Sequence, residues 1–469
     1  MRLVKEESGQ DSLWDSEFIR LHDVAGPRYT SYPTALQFHE EFTDQDYKDA
    51  VGRSNASRMP LSLYVHLPFC ASLCYYCACN KVITQSDEKK RRYLDALIKE
   101  IRLKSKDFDA ARPVYQMHWG GGTPTYYSDA ELTELWFEIG RHFHLVEPER
   151  GEYSIEIDPR TIDGNKLGLL KGLGFNRISL GIQDFDQRVQ EAINRVQSYE
   201  QIRDLLQAAR NYQYRSVNFD LIYGLPYQTV ASVRETITKV IDLSPDRISL
   251  FNYAHLPQRF KSQSLLPEEA LPPAEEKLQI LCDASNQLMN AGYVYIGMDH
   301  FAKPTDELAL AQAEGSLHRN FQGYTTFKDA DLVGLGVSSI SLINNIYCQN
   351  AKSITEYQGL VEENNSPLNA GVVLSTDDEI RRAVIMSLLC QNWLIPAQIE
   401  SQFGIRFEHY FSSEIKSLNE FVNAGLLSLQ NGVYNVTPKG RLVVRKICML
   451  FDVYLPQHVK EGRRFSRVL

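Results

Sequence analysis

Four cysteines, Cys70, Cys74, Cys77 and Cys79, fall together in the run CASLCYYCAC, with the spacing C-x3-C-x2-C-x-C. Three thiolates this close can hold three corners of one cubane iron–sulfur cluster. The fourth iron is then left without a protein ligand, the open position that chemistry requires. Zinc is the competing reading. It takes four tetrahedral ligands, which structural sites usually draw from two separated pairs. Here all four would come from one short loop, and no second CxxC or HxxxH pair is present. A disulfide is the third reading and needs an oxidising compartment. The spacing favours the cluster.

Other candidates lie on or just after strand-like runs. Tyr64 and His66 share a face with Ser62, opposite Leu63, Val65 and Leu67, because successive side chains alternate across a strand. Tyr64 reads equally as an ordinary strand residue. Glu156 shares a face with Ser154 and Asp158, opposite Tyr153, Ile155 and Ile157. An acid on an inward face is costly without a partner. Gly120, Gly121, Gly122 and Thr123 follow another strand. Glycine there lets backbone approach a ligand closely, although an isolated GGG also reads as a turn. Arg195 taken alone reads as a solvated charge at a helix end.

The elements that must position these residues alternate. Strand-like runs occur at 61–68, 114–119, 153–158, 177–183, 217–222 and 247–253. Between them lie amphipathic segments. Tyr93, Leu94, Leu97, Ile98 and Ile101 form one helical stripe, and a capping box from Ser128 to Glu131 opens another helix. Such alternation predicts a parallel sheet with right-handed crossovers, a full or partial β/α barrel over residues 60–350. The polar and glycine-rich residues follow the strands, where such folds build their sites. A separate aromatic and proline-rich segment, including GPRYTSYPTA, fills the first 60 residues. Beyond about residue 370 the pattern is mainly helical, with a hairpin-like stretch at 426–437 and a helix from near Pro438. That combination is winged-helix-like and reads as a lid or partner surface.

The net charge of −9 repels nucleic acid and acidic membranes, so no nucleic-acid partner is expected. The first residues are charged throughout, with no apolar core of a signal peptide, and no run of 18 apolar residues occurs. A cytoplasmic protein is expected. Cys282, Cys348, Cys390 and Cys448 are far apart and read as small buried hydrophobes.

C-x3-C-x2-C with Tyr76 before the third cysteine resembles the radical S-adenosylmethionine superfamily. The flanking runs YVHLPFC, CYYCACNK, HWGGGTPTYY, EIDPR, GIQDF, NFDLIYGLP, FNYAHLP, HRNFQGYTT and FSRVL are similar to the oxygen-independent coproporphyrinogen III oxidase family, from about residue 20 to 469. The resemblance implies an α/β fold: a partial (β/α)6 TIM-like barrel of radical SAM type at 61–365. An N-terminal segment at 1–60 would contribute to the substrate site, and 366–469 would form the helical C-terminal domain. It implies decarboxylation of two propionates of coproporphyrinogen III to vinyl groups, giving protoporphyrinogen IX. The agent would be a 5′-deoxyadenosyl radical made from S-adenosylmethionine at a [4Fe–4S] cluster. An electron donor such as flavodoxin and an unidentified acceptor complete the scheme, and the chain is read as a monomer.

By the same resemblance, Cys70, Cys74 and Cys77 hold the cluster, and Cys79 matches an extra cysteine needed for activity; a plain buried thiol is its alternative reading. Tyr64 and His66 fall near the cluster. Gly121, Gly122, Thr123 and Glu156 fall at the first of two S-adenosylmethionine molecules. Tyr76, Gln183, Arg195, Asp220 and Ala254 fall at the second. Phe321, Gln322 and Ile340 match positions near cofactor and substrate. Arg28 and Arg319 are candidates for the substrate carboxylates. Ala78 stands where the family more often has glycine. The rival readings are a haem-binding chaperone of the same superfamily and a radical methyltransferase or cyclopropanase; Cys79 and the GPRYTSYPTA leader argue for the oxidase.

Overall fold

The computed structural model describes residues 16–22 and 24–460. The terminal FSRVL run and most of the charged N-terminal stretch lie outside these residues. All six expected strands are present: β1 (Leu61–Leu67), β2 (Pro113–Gly121), β3 (Glu152–Ile157), β4 (Arg177–Gln183), β5 (Ser216–Tyr223) and β6 (Arg247–Asn252). They lie side by side in chain order and are parallel throughout. This is the half-barrel pattern, with a helix after each strand: Asp87–Lys104, Asp129–His142, Gly164–Leu173, Tyr199–Asn211, Val230–Leu243 and Ala274–Asn290.

Local chemistry explains these elements. In β1, Leu63, Val65 and Leu67 are fully buried on the helix side. They pack in one core with Tyr93, Leu94, Leu97, Ile98 and Ile101 of the following helix. The Tyr93 hydroxyl donates to the His66 carbonyl at 2.7 Å, which pins the end of β1. Ser128 caps the helix Asp129–His142, and Glu131 closes the capping box. Both features follow from the sequence.

The barrel does not close. β1 pairs on its far side with Asp331–Leu335, in parallel, and β6 pairs with His300–Ala302, antiparallel. Antiparallel strands then extend the sheet through Ile340–Ile343, Ile346–Asn350 and Leu368–Val373. The sheet therefore runs past residue 365, and the first C-terminal helix begins at Thr376. The extension is fastened by long-range polar contacts that local periodicity does not reveal. Glu100, almost fully buried, accepts from Gly336 N, Asn350 Nδ2 and the Tyr357 hydroxyl at 2.7, 2.7 and 2.6 Å.

The N-terminal segment is fastened in the same way. Arg112 donates to Asp331 at 2.8 Å and to Ser54 at 2.7 Å. Tyr29 donates to Asp452 at 3.0 Å, and Arg445 donates to the Pro27 carbonyl at 3.0 Å. In the C-terminal region the hairpin pairs Leu427–Gln430 with Val433–Val436. Asn431 and Gly432 have φ of 51° and 77°, the signature of a tight two-residue hairpin turn. Thr437 caps the helix from Pro438.

Candidate active site

A cavity of about 490 Å³ opens on the concave side of the half-barrel. Cys70, Cys74, Cys77 and Cys79 line it, and all eight cysteines are free thiols. Cys282, Cys348, Cys390 and Cys448 are buried, as their isolation in the sequence implies.

The cysteine loop is surrounded by hydrogen-bond donors. Thr123 Oγ1 donates to Cys70 Sγ at 3.3 Å. Arg160 and Arg195 donate to Cys74 Sγ at 3.6 and 3.5 Å. A hydrogen bond from Cys79, followed in size by the opposing effect of burial and then the Lys81 charge, brings the Cys77 thiol down to about 6. Burial pushes the Cys70 thiol up to about 11. Among the described residues no three His, Cys, Asp or Glu side chains converge on a single-ion site. A cubane needs no such convergence, because each thiolate holds a different iron. Three thiols on one cavity wall, with cationic and hydroxyl donors at their sulfurs, fit an anionic iron–sulfur cluster.

The three glycines are more than a turn. A Cβ on Gly120 would stand 2.9 Å from the Glu156 carboxyl carbon, and one on Gly122 would stand 2.5 Å from the Pro68 carbonyl carbon. Gly121 has φ of +114°, and a Cβ there would stand 2.6 Å from the His66 ring. Close packing lets Gly121 N donate to Glu156 Oε2 at 3.0 Å, and Gly122 N to the Leu67 carbonyl at 2.8 Å. Gly121→Ala is expected to destabilise the fold by about 1–3 kcal/mol. Gly172→Ala, whose Cβ would meet nothing within 4 Å, should leave stability unchanged or slightly raise it. Thermal unfolding reads the contrast.

Glu156 lines the cavity beside Gly121 and Thr123. Burial acts to raise its pKa, but the hydrogen bond and charge of His118 and the Gly121 N–H outweigh it, and the group is held below the usual carboxylate range. His118 lies 3.3 Å from Glu156 and 2.6 Å from Ser154 Oγ. Its ring stacks on Tyr64 at 6.0 Å. Sequence reasoning missed this residue, although it occupies the cavity face of β2 together with Gln116. In β1, His66 Nε2 donates to the Asn80 carbonyl at 2.9 Å, and Nδ1 accepts from the Tyr64 hydroxyl at 3.0 Å. Burial lowers the His66 pKa, consistent with this neutral pairing. Neither side chain is among the cavity's lining residues; the His66 ring sits against Gly121 of the glycine loop.

Arg195 is buried rather than solvated. It donates to Asp158 and to the Gly181 carbonyl, each at 2.9 Å. Asp158 also binds Arg160 at 2.7 Å. Gln183, with φ of +66°, ends β4 beside Arg195. Asp220 accepts from Ser179 at 2.7 Å and Asn218 at 2.8 Å, and burial raises its pKa. Tyr76, Gln183, Arg195, Asp220 and Gln322 all line the cavity. Ala254 is exposed on the loop after β6. Ile340 opens its strand outside the cavity lining, and Phe321 packs between Phe38 and Tyr347 at 6.1 and 5.5 Å. Arg28 pairs with Asp299. Arg319 lies behind Tyr324, which lines the cavity.

A parallel half-barrel carrying a three-thiol loop over its cavity is the architecture of a radical SAM enzyme. The Radical SAM superfamily matches residues 64–240, and the HemN C-terminal domain matches residues 374–443. The chain is 50% identical over 456 residues to the oxygen-independent coproporphyrinogen III oxidase of Pseudomonas aeruginosa, covering 97% of this chain and 99% of that one. It is 48% identical over 462 residues to the enzyme of the same name from Salmonella typhimurium, covering 98% and 100%. The solved structure of coproporphyrinogen III oxidase (HemN) from Escherichia coli, a radical SAM enzyme, superposes with a TM-score of 0.89 at 47% identity, covering 94% of this chain and 99% of that one. The chain belongs to the oxygen-independent coproporphyrinogen III oxidase family.

Proposed function

We infer that this protein oxidises coproporphyrinogen III to protoporphyrinogen IX without oxygen, decarboxylating two propionates to vinyl groups for porphyrin synthesis. The observation that carries this is the near-full-length likeness to enzymes of that activity. It includes the C-terminal domain as well as the barrel, and the chaperone and methyltransferase readings have no comparable support.

When bound, the [4Fe–4S] cluster and S-adenosylmethionine supply an electron and a hydrogen-abstracting 5′-deoxyadenosyl radical. The residues proposed to hold the cluster are Cys70, Cys74 and Cys77, with Thr123, Arg160 and Arg195 stabilising negative charge on sulfur. Gly121, Gly122, Thr123 and Glu156 are proposed for the first S-adenosylmethionine. Tyr76, Gln183, Arg195, Asp220 and Ala254 are proposed for the second, with Ile340 beside the cofactors. Tyr64, His66, Cys79 and Gln322 are assigned to catalysis. His66 shares in this as a neutral ring: its Nε2 proton is spent on Asn80 while it holds the Tyr64 hydroxyl. The concave wall would exclude water around a reactive radical.

The proposed division is a segment at 1–60 contributing to the substrate site, the barrel from residue 61 with its sheet extension reaching Val373, and a winged-helix-like C-terminal domain from Thr376. The chain is proposed to act as a monomer in the cytoplasm, a reducing compartment that suits eight free thiols. No helix among the described residues is long and apolar enough to cross a membrane. An electron donor such as flavodoxin is proposed to reduce the cluster; the acceptor is unassigned.

The test is anaerobic incubation of the reconstituted enzyme with S-adenosylmethionine, reductant, coproporphyrinogen III and cell extract. Protoporphyrin IX and 5′-deoxyadenosine are the expected products. 5′-Deoxyadenosine without protoporphyrin would remove the substrate assignment and leave the radical chemistry.

A further inference from the structure

One wall of the cavity carries polar groups that the protein itself leaves unsatisfied. It is built from His300 and the hairpin His318–Asn320 with Gly323–Thr325, in which Arg319 pairs with Tyr324. The hairpin is tied across the half-barrel, with Thr325 Oγ1 accepting from Gln116 at 3.1 Å and Thr326 Oγ1 donating to Glu152 at 2.9 Å. Arg319 is only 7% exposed. Its Nε and Nη1 have no hydrogen-bond partner among the described residues. The same holds for His300 Nδ1, the Tyr324 hydroxyl and Gln322 Nε2. His300, Gln322 and Tyr324 line the cavity. The Arg319 guanidinium lies 4.8 Å from the Tyr324 ring centre, and that ring meets His300 edge-on at 5.3 Å.

Buried polar groups are normally paired, and a buried charge requires a counter-charge. Arg28 has its carboxylate in Asp299, whereas among the described residues Arg319 forms no ion pair. Burial, followed by the charges of Arg319, Arg28 and Arg247, drives His300 well below the ordinary histidine range. The wall therefore holds one uncompensated positive charge, Arg319, packed directly behind Tyr324, and several neutral hydrogen-bonding groups on His300, Gln322 and Tyr324, which line the cavity. That set matches a single carboxylate.

We propose that Arg319, His300, Tyr324 and Gln322 form a subsite that holds one propionate carboxylate of the substrate and so orients the macrocycle in the cavity. The subsite rests on the coproporphyrinogen assignment above and resolves the choice between the two arginines: Arg319 takes the carboxylate, and Arg28 is committed to Asp299.

The experiment compares wild type with Arg319→Gln and Tyr324→Phe, using the KM for coproporphyrinogen III and the Kd for coproporphyrin III. Loss of a charge-assisted hydrogen bond predicts a rise of about ten- to hundredfold in both constants for Arg319→Gln. A smaller rise, about threefold to tenfold, is expected for Tyr324→Phe. Affinity for an alkyl porphyrin without carboxylates should be the same in all three proteins, as should the iron content and the substrate-free yield of 5′-deoxyadenosine. Unchanged KM and Kd in Arg319→Gln would overturn the subsite while the oxidase reading stands. If Arg319→Gln does not fold, unchanged constants in Tyr324→Phe overturn it instead. A wild type that makes no protoporphyrin would overturn the oxidase reading, and the subsite with it.

Discussion

Cys74→Ser is expected to abolish iron–sulfur cluster retention and, with it, formation of 5′-deoxyadenosine and protoporphyrin. Cys74 is buried and receives two guanidinium donors, from Arg160 and Arg195. Serine is close in size, so the surrounding packing should survive. What is lost is the soft, polarisable thiolate that iron–sulfur clusters select. Loss of an outer-shell partner typically costs ten- to hundredfold in metal-site function; loss of a ligand itself should exceed about a hundredfold here. Iron per chain, the charge-transfer absorption of the cluster and the 5′-deoxyadenosine yield measure this together, with far-ultraviolet circular dichroism as the folding control. Wild-type iron content in the variant would show that Cys74 does not hold the cluster.

Arg195→Ala is the second large effect. The side chain is almost fully enclosed and bonds Asp158, the Gly181 carbonyl and Cys74 Sγ at once. Its removal leaves Asp158 with Arg160 as its remaining cation. Breaking a buried ion pair on one side typically costs about 3–5 kcal/mol; retention of Arg160 should place this variant near the lower end. That cost corresponds to about two orders of magnitude if it falls on cofactor binding rather than on folding. Arg195→Lys keeps the charge but cannot reach three acceptors with one ammonium, so an intermediate loss is expected. The split between the KM for S-adenosylmethionine and the unfolding midpoint shows where the cost falls. A wild-type KM in Arg195→Ala would exclude a role for this residue at the cofactor.

Much of the architecture follows from local pattern. β1 shows its alternation directly, the stripe from Tyr93 to Ile101 specifies one helix, and Ser128 with Glu131 marks where another begins. Each signal is confined to neighbours in the chain and survives whatever the rest of the protein does. The cysteine loop is local in the same sense: ten residues supply three thiols at the spacing a cubane can use.

Other features depend on residues brought together from distant parts of the chain. His118 enters the site because β2 lies beside β1 in a register that places it opposite Tyr64, and no property of MHWGGG states that register. Arg195 looks like a surface charge in the sequence, yet folding carries Asp158, Gly181 and Cys74 to its guanidinium. The sheet continues to Val373 because Glu100 and Arg112 find partners more than two hundred residues away. Arg28 and Arg319 are equal candidates by type, and only the tertiary fold gives one of them Asp299 and leaves the other facing unpaired groups. Local periodicity records how a segment meets water and core. A buried charge is decided by which counter-charge the fold brings within about 3–4 Å of it, and chain sequence does not encode that distance locally.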